Sequence, residues 1–308
     1  MPLPSDQAAV ATGQKLLDTI KGIFGPHPGF RPVHAKGVLL QGTFSPTAEA
    51  ATLSTAPHFH RQSTPVFARF SSFTGLPEIP DNDPHANPRG FALRFMLEES
   101  PRRVHTDIVT HSTPFFPAKD GKDAVGFFSS LKDGTVADFV ASHPAAKAFV
   151  EAPKPAPVSF ATEKFYGVNA FKLVNKDGDE TFIRYRIVPR AGEAHVDDAE
   201  LKTLGVNYAF DSVPELLEKG PIEFDIVVQV AEPSDVTDDC TIQWPEDRKL
   251  VTLGTISLDS VTPGNPAEQK KIIFDPVPRV EGIEPSADPL IDIRAAIYLT
   301  SGKERRAA

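Results

Sequence analysis

The sequence predicts an α+β fold, an eight-stranded antiparallel β-barrel with inserted and terminal helices. Two runs of short segments rich in β-branched and aromatic residues, separated by Pro, Gly, Asn and Asp, predict the strands. The 30 Pro and 22 Phe residues favour many turns around a large apolar interior rather than long helices. Eight antiparallel strands can close into a barrel, which removes the exposed sheet edges.

The elements are predicted in the following order. Residues 5–24 predict an amphipathic helix that Ser5 caps and Gly25-Pro26 ends. The first run of strands is predicted at 33–44, 65–73, 90–97 and 105–111. Helical periodicity then covers 123–131 and 136–152, with a break at Pro144. The second run of strands is predicted at 169–178, 180–189, 221–233, 249–258 and 270–276. Short helices are expected near 197–203 and 212–219, and a last helix over 287–306.

Length and composition restrict the class of protein. The 308 residues would allow two domains of about 150 residues each, but the helical insert near 123–152 is too short for its own core. We therefore expect a single domain over 1–308, with the N-terminal helix in 1–25 and the barrel core and C-terminal helix in 30–306. A net charge of −9 argues against nucleic acid and anionic membrane surfaces as partners.

Two further features bear on the compartment of the protein. The single cysteine, Cys240, excludes an intramolecular disulfide and fits the cytoplasm. No stretch of about 20 apolar residues and no secretory signal is present, so we expect no membrane association. His58 and His60 form an H-x-H pair without an obvious third ligand, so we expect exposed loop histidines rather than a metal site.

Three segments carry residues suited to chemistry. His34 begins a predicted strand and could point into the barrel; a satisfied, partly buried histidine is the alternative. Arg69 and Ser71 alternate on one strand face, and an inward-pointing Arg69 would require an anion, because an unpaired buried charge costs several kcal/mol. Arg294 and Tyr298 are four residues apart and share a helix face. A guanidinium beside a phenol stabilises the phenolate, which is a hard ligand for ferric iron.

These segments occur together in an order that resembles a known family. Arg31-Pro32-Val33-His34-Ala35-Lys36-Gly37, Arg69-Phe70-Ser71-Ser72, the turn at 87–92, the run at 107–116 and the Arg294…Tyr298 pair follow the spacing of haem catalases. The sequence resembles the catalase superfamily over about residues 30–306, and its length resembles the short branch of catalase-related peroxidases.

The resemblance implies a role for each matching residue. His34 corresponds to the distal histidine that moves the peroxide proton, Ser71 to the serine that orients it, and Val33 to the valine that narrows the access channel. Tyr298 corresponds to the axial ligand of the haem iron. The remaining matches are to residues that support the haem: Arg294 beside the ligand, Asp288 as the carboxylate that pairs with Arg294, and Arg31, Arg69 and Arg305 at the propionates.

The sequence also departs from the family pattern. His111 stands where the family has a distal asparagine, which makes His111 a candidate catalytic residue and puts the second peroxide oxidation in doubt. Asn169 stands where the family has a histidine near the proximal arginine. The chain lacks segments that full-length catalases have at both ends, so we expect no NADPH site and a homo-oligomer as small as a dimer.

Three functions follow from the resemblance. The first is a haem b-dependent peroxidase that reduces hydrogen peroxide or organic hydroperoxides with small organic donors and has weak catalase activity. The second is a fatty-acid hydroperoxide-rearranging enzyme similar to allene oxide synthases, which a large Phe-lined pocket would suit. The third is a non-catalytic haem-binding or haem-sensing protein, which His34 and Ser71 argue against, because binding alone requires only the proximal side.

Overall fold

A computed structural model describes residues 2–308 of the chain. The α-helices within these residues are α1 Gln7–Phe24, α2 Ala50–Leu53, α3 Gly121–Asp133, α4 Val136–Ser142, α5 Pro144–Glu151, α6 Asp198–Leu201, α7 Tyr208–Lys219, α8 Asn265–Lys271 and α9 Leu290–Ala307. The strands are β1 Gly37–Pro46, β2 Thr64–Ser71, β3 Gly90–Glu98, β4 Val104–His111, β5 Ala156–Pro157, β6 Phe165–Tyr166, β7 Phe171–Val174, β8 Glu180–Pro189, β9 His195–Val196, β10 Ile222–Val230, β11 Leu250–Val261 and β12 Ile283–Pro285.

Eight of the strands form a closed antiparallel barrel, which confirms the predicted fold class. Its order is β10-β11-β1-β2-β3-β4-β6-β8, and β8 pairs with β10 to close the ring. β7 pairs with β8 outside the ring, and β12 pairs with β7. The predicted strand 169–178 thus contributes only an accessory strand. The two-residue β6 lies between β4 and β8 in the barrel.

Phenylalanines fill the interior of the barrel. Phe70 and Phe91, from β2 and β3, lie with ring centroids 6.0 and 5.3 Å from that of Phe224 on β10, across the barrel. Phe70 also stacks on Phe160, at 4.9 Å between centroids and 11° between planes. Because alternate residues of a strand face opposite ways, the neighbours Arg69 and Ser71 face outward. Arg69 is therefore not the inward-pointing arginine considered from the sequence.

α1, α3 and α9 lie on the side of the barrel formed by β2–β4, with which they line one cavity. α1 packs against α3 and α9, and apolar residues of all three helices form a second core. Gly13 on α1 allows the close approach, because a Cβ there would lie 2.9 Å from the Cβ of Ala296 on α9. The functional residues of β2–β4 are thus buried between a barrel wall and a helical layer.

Several local predictions need correction. Asp6 caps α1 through Ala8 N, at 2.8 Å, in place of Ser5. The predicted strand at 270–276 is the end of α8 followed by irregular chain. His58 is 1% exposed and stacks on Phe95, so it is a core histidine rather than an exposed one.

The other expected helices are present, and the Pro144 break separates α4 from α5. Within residues 2–308 no helix combines the length and apolar character that a bilayer span needs. The same part of the chain contains no group of three or more His, Cys, Asp or Glu side chains arranged for a metal ion.

Candidate active site

The barrel wall presents a row of residues from neighbouring strands. In the register of the sheet Ser71 on β2 lies opposite Gly90 on β3, and Gly90 lies opposite His111 on β4. One step along the same face, Arg69 lies opposite Ala92, and Ala92 lies opposite Val109. All six residues line one cavity. The strand alternation that buries Phe70 in the barrel is what turns this row toward the helices.

α9 and the chain before β1 complete the cavity. The space inside it, including the part open to solvent, is about 1420 Å³. Apolar and aromatic side chains dominate its lining, among them Phe73, Phe116, Phe127, Phe128, Phe149, Val168, Ile273, Phe274 and Ile297. The cavity therefore suits a large, mostly apolar ligand.

His34 lies just before β1, in a backbone conformation that non-glycine residues adopt infrequently, with φ 56°. Its Nδ1 lies 3.1 Å from Ser71 Oγ, and its ring packs edge-on against Phe73. Burial, followed by the positive charges of Arg69 and neighbouring groups, lowers the pKa of His34 to about 3. His34 is therefore a neutral imidazole near pH 7, held by one side-chain partner.

His111 lies at the end of β4, on the same wall of the cavity. Within residues 2–308 neither of its ring nitrogens has a hydrogen-bond partner, although both are buried. Burial, followed by the charges of Arg294 and Lys154, lowers its pKa to about 3. A buried neutral imidazole without partners is costly, so His111 is available to a ligand in the cavity.

Tyr298 and Arg294 face the same cavity from α9. Arg294 Nη2 donates to Tyr298 Oη at 3.1 Å, and Nε lies 3.4 Å from the same oxygen. Burial opposes the charge on Arg294, but Tyr298 and other nearby groups together outweigh burial and raise the pKa of the guanidinium. Charge-assisted donors to a phenol oxygen stabilise its anionic form. The pair can therefore supply an anionic oxygen ligand.

Arg294 is connected to Asp288 through Asn169. The resemblance to the catalase superfamily had implied a direct pair. Arg294 Nη1 donates to Asn169 Oδ1, and Asn169 Nδ2 donates to Asp288 Oδ2 at 2.8 Å. Asp288 also accepts from Leu290 N at 2.9 Å. The carboxylate lies behind the amide and does not line the cavity, because Asn169 occupies the space between it and the guanidinium.

Three arginines converge at one end of the cavity. Arg31, Arg69 and Arg305 all line it and donate to backbone carbonyls or an amide, including Ile272 O at 3.0 Å from Arg31 and 2.7 Å from Arg305. No carboxylate of residues 2–308 pairs with any of them.

The clustering of the three arginines disfavours the charged forms of their guanidinium groups. Burial, followed by the charge of Arg305, lowers the pKa of Arg69 to about 9. Burial, followed by Arg69 and Arg305, also lowers the pKa of Arg31. Buried cations without partners destabilise a protein unless an anion compensates them. The arginine end of the cavity is therefore a candidate anion site.

Nine of the ten residues that the sequence singles out line this cavity, and Asp288 is the exception. Sequence reasoning missed Gly90, where a Cβ would lie 2.5 Å from Ser71 Oγ and 2.7 Å from His34 Nδ1. It also missed Gln269, which accepts from Arg69 Nε at 2.7 Å and donates to Gly37 O at 2.9 Å. No local signal marks Gln269, whereas Gly90 lies within the turn at 87–92 that the sequence already marks.

Comparison with known proteins gives the family. The sequence model of the catalase family, described as "Catalase", matches residues 28–308. The chain belongs to the catalase family. It is 33% identical to a catalase-related peroxidase of Synechococcus elongatus, covering 97% of this chain and 90% of that protein. It is 31% identical to a catalase-related peroxidase of Mycolicibacterium paratuberculosis, covering 96% of this chain and 95% of that one.

Solved structures extend the match to longer members of the catalase family. A bacterial catalase superposes with a TM-score of 0.79 at 25% identity, covering 98% of this chain and 62% of that one. Catalase A of Saccharomyces cerevisiae has a TM-score of 0.81 and 23% identity, which shows the shared fold. This catalase-family chain thus spans about three fifths of the longer catalases and nearly the whole of the catalase-related peroxidases.

Proposed function

We propose that this chain is a haem-dependent peroxidase that reduces hydrogen peroxide or an organic hydroperoxide with small organic donors, with weak catalase activity. One observation carries the proposal. A single cavity joins a neutral histidine-serine pair on the barrel wall, a tyrosine-arginine pair on α9 and three arginines without carboxylate partners. The names of the two catalase-related peroxidases agree with it.

The residues present fit a haem group. Its two propionates would compensate Arg31, Arg69 and Arg305, whose charges have no carboxylate partner in residues 2–308. Tyr298 would bind the haem iron, because hard ferric iron favours an anionic oxygen ligand and Tyr binds the haem iron in catalase. When bound, the haem supplies the redox chemistry that breaks the peroxide bond. Arg294, oriented by Asn169 and Asp288, donates to Tyr298 Oη.

The pair of His34 and Ser71 would move the proton of the peroxide. Ser71 Oγ lies 3.5 Å from Gly90 O, to which its hydroxyl can donate a hydrogen bond. Ser71 Oγ is then free to accept from His34 Nδ1–H, and this tautomer leaves Nε2 of His34 as a base toward the cavity. Nε2 takes a proton from one peroxide oxygen and returns it to the other. General acid–base catalysis of this kind contributes about 10²–10⁴-fold.

His111 would hold a peroxide or its alkyl group beside His34. As a neutral imidazole it has one donor and one acceptor nitrogen, whereas an asparagine amide has two donor hydrogens. This difference would make the second peroxide oxidation inefficient and leave reduction by an organic donor as the main route. Val33, partly buried against the helical core, would narrow the entrance.

The finer parts of the proposal rest on the sequence. Haem b is the group expected, since the chain has no C-x-x-C-H attachment motif. We also propose one haem-binding domain over 1–308, a homodimer and a cytoplasmic location. The alternatives of hydroperoxide rearrangement and of non-catalytic haem sensing gain no support from the relatives, which carry peroxidase names.

The test is an assay of the haem-loaded protein with hydrogen peroxide, with and without 2-methoxyphenol. We expect peroxide consumption that rises with the phenol, together with slow oxygen release without it. Peroxide left unconsumed under both conditions would contradict the proposal. A fatty-acid hydroperoxide should yield the corresponding alcohol with oxidised donor, and an allene oxide product would favour the rearranging enzyme instead.

A further inference from the structure

A second cavity adjoins the first at its arginine end. Arg31, Pro32, Ser301 and Arg305 line both cavities, so the two share a wall. Under the proposed function, Arg31 and Arg305 hold the haem propionates. A small molecule in the second cavity would therefore lie beside the carboxylate edge of the haem, away from His34. Electrons could reach the haem there without competition from peroxide.

Phe30 gives the second cavity an aromatic surface. It is the one phenylalanine among the large apolar side chains exposed in residues 2–308, at 49%. The backbone of the loop fixes the exposed position of the Phe30 ring. Phe30 N donates to His27 O at 3.0 Å, and Gly25 and Gly29, which both precede Phe30 in this loop, have φ of 81° and 85°. An exposed ring in a fixed turn suits stacking against another aromatic ring.

The charges around the second cavity favour an uncharged ligand. Lys21 Nζ lies 2.7 Å from Glu304 Oε2, and both side chains line the cavity, so their charges compensate each other. The charges of Arg31 and Arg305 are compensated by the propionates under the proposed function. The charged side chains of Lys21, Glu304, Arg31 and Arg305 then leave no net charge to select an anionic or a cationic molecule.

His27 provides an acceptor in the same lining. Its Nε2 lies 2.9 Å from Phe24 O, and since a carbonyl can only accept, Nε2 carries the proton. In the neutral ring Nδ1 is then an acceptor. A hydroxyl group on an aromatic ring can therefore find both a stacking partner and a proton acceptor in this cavity.

We propose that the second cavity binds the electron donor, a small uncharged phenol, with its ring against Phe30 and its hydroxyl donating to His27. The proposal rests on the proposed peroxidase function. Two phenols each lose one electron and one proton, and one hydrogen peroxide gains two of each. The products are two phenoxyl radicals and two water molecules.

The test measures binding as well as turnover, with 2-methoxyphenol and the haem-loaded protein. Isothermal titration calorimetry of the resting enzyme should give a Kd that rises about tenfold in Phe30→Ala, because a stacked ring contact is lost. Phe30→Tyr keeps the ring and should keep the Kd within about twofold. Leu250→Ala, which removes another exposed apolar side chain on β11, is the matched control and should change nothing.

Two further readouts distinguish this site from the peroxide site. Ferric iron should shorten the NMR relaxation times of the bound phenol protons, and the effect should weaken in Phe30→Ala. The stopped-flow rate of the peroxide reaction without donor should be the same in Phe30→Ala and the natural sequence.

An unchanged Kd in Phe30→Ala, or no binding of the phenol to the natural sequence, would overturn the proposal. Loss of the peroxide reaction in the natural sequence would instead overturn the proposed function. Calorimetry would still report whether the phenol binds at Phe30.

Discussion

The two walls of the active-site cavity hold their polar groups in opposite ways. On α9, Tyr298 accepts from Arg294 and the guanidinium continues through Asn169 to Asp288, so every group is tied to the next. On the barrel, His34 has one side-chain partner and His111 has none within residues 2–308. The α9 wall carries charge, whereas burial keeps both barrel histidines neutral.

This difference separates holding a cofactor from reacting with a substrate. A permanent ligand is best held by groups whose charge and position are fixed by a connected network. A peroxide that arrives and leaves needs groups with free lone pairs and protons. We therefore expect substitutions on α9 to affect haem retention and substitutions on the barrel to affect turnover.

Tyr298→Phe should have the largest effect of the substitutions, on haem retention. It removes the proposed iron ligand and leaves the guanidinium of Arg294 without its phenol partner. We expect the haem-to-protein ratio to fall by more than about tenfold, because the metal ligand is lost. The ratio is measured by the pyridine haemochrome assay. Tyr166→Phe, outside the cavity, is the control. Full haem occupancy with an unchanged spectrum would disprove the axial-ligand assignment.

His34→Ala should leave haem binding intact and slow the reaction with peroxide. The loss expected for a general acid–base group is about 10²–10⁴-fold in the stopped-flow rate constant. His85→Ala, on an exposed side chain, should match the natural sequence. If peroxide consumption by His34→Ala were normal, the assignment of His34 as the proton-transferring group would be wrong.

Gly90→Ala tests whether the rate of the reaction with peroxide depends on the position of His34. The added Cβ would lie 2.5 Å from Ser71 Oγ and 2.7 Å from His34 Nδ1, so the pair must move. A displacement of about 1 Å can lower the rate about 10²-fold, and haem content should stay unchanged. Gly205→Ala meets no atom within 4 Å and is the control. Equal rates in the two variants would contradict a positioning role for Gly90.

His111→Asn should have a smaller effect, on turnover and not on haem retention. It puts an amide with two donor hydrogens where the neutral imidazole has one. We expect donor-independent oxygen release, measured with an oxygen electrode, to rise about severalfold while haem content holds. A fall in oxygen release would show that His111 itself supports the second peroxide oxidation.

The pH profile should show the smallest effect. The pKa of His34 is lowered from 6.5 to about 3, so the neutral base is present at every pH well above 3. The rate constant for peroxide should therefore change by less than about twofold between pH 5 and 8. A loss of rate centred near pH 6.5 would show that His34 titrates as an ordinary histidine.

Local patterns predicted much of this molecule. Alternation in β2 placed Arg69 and Ser71 on one face and Phe70 on the other, and the structure confirms it. Alternation could not show which face lines the barrel interior, because both faces are buried. The bridge from Asn169 to Asp288 joins residues 119 apart, and no spacing rule reaches that far. His58 was misassigned because its burial depends on packing against Phe95.

An absorbance spectrum tests the division between the two walls most directly. The haem-loaded protein is measured at rest, then with dithionite, and in a second sample with hydrogen peroxide. We expect a ferric Soret band that dithionite barely changes, as expected for an anionic tyrosine ligand, and that peroxide shifts at once. A readily reduced histidine-type spectrum, failure to take up haem, or a ferric band that peroxide leaves unchanged would contradict it.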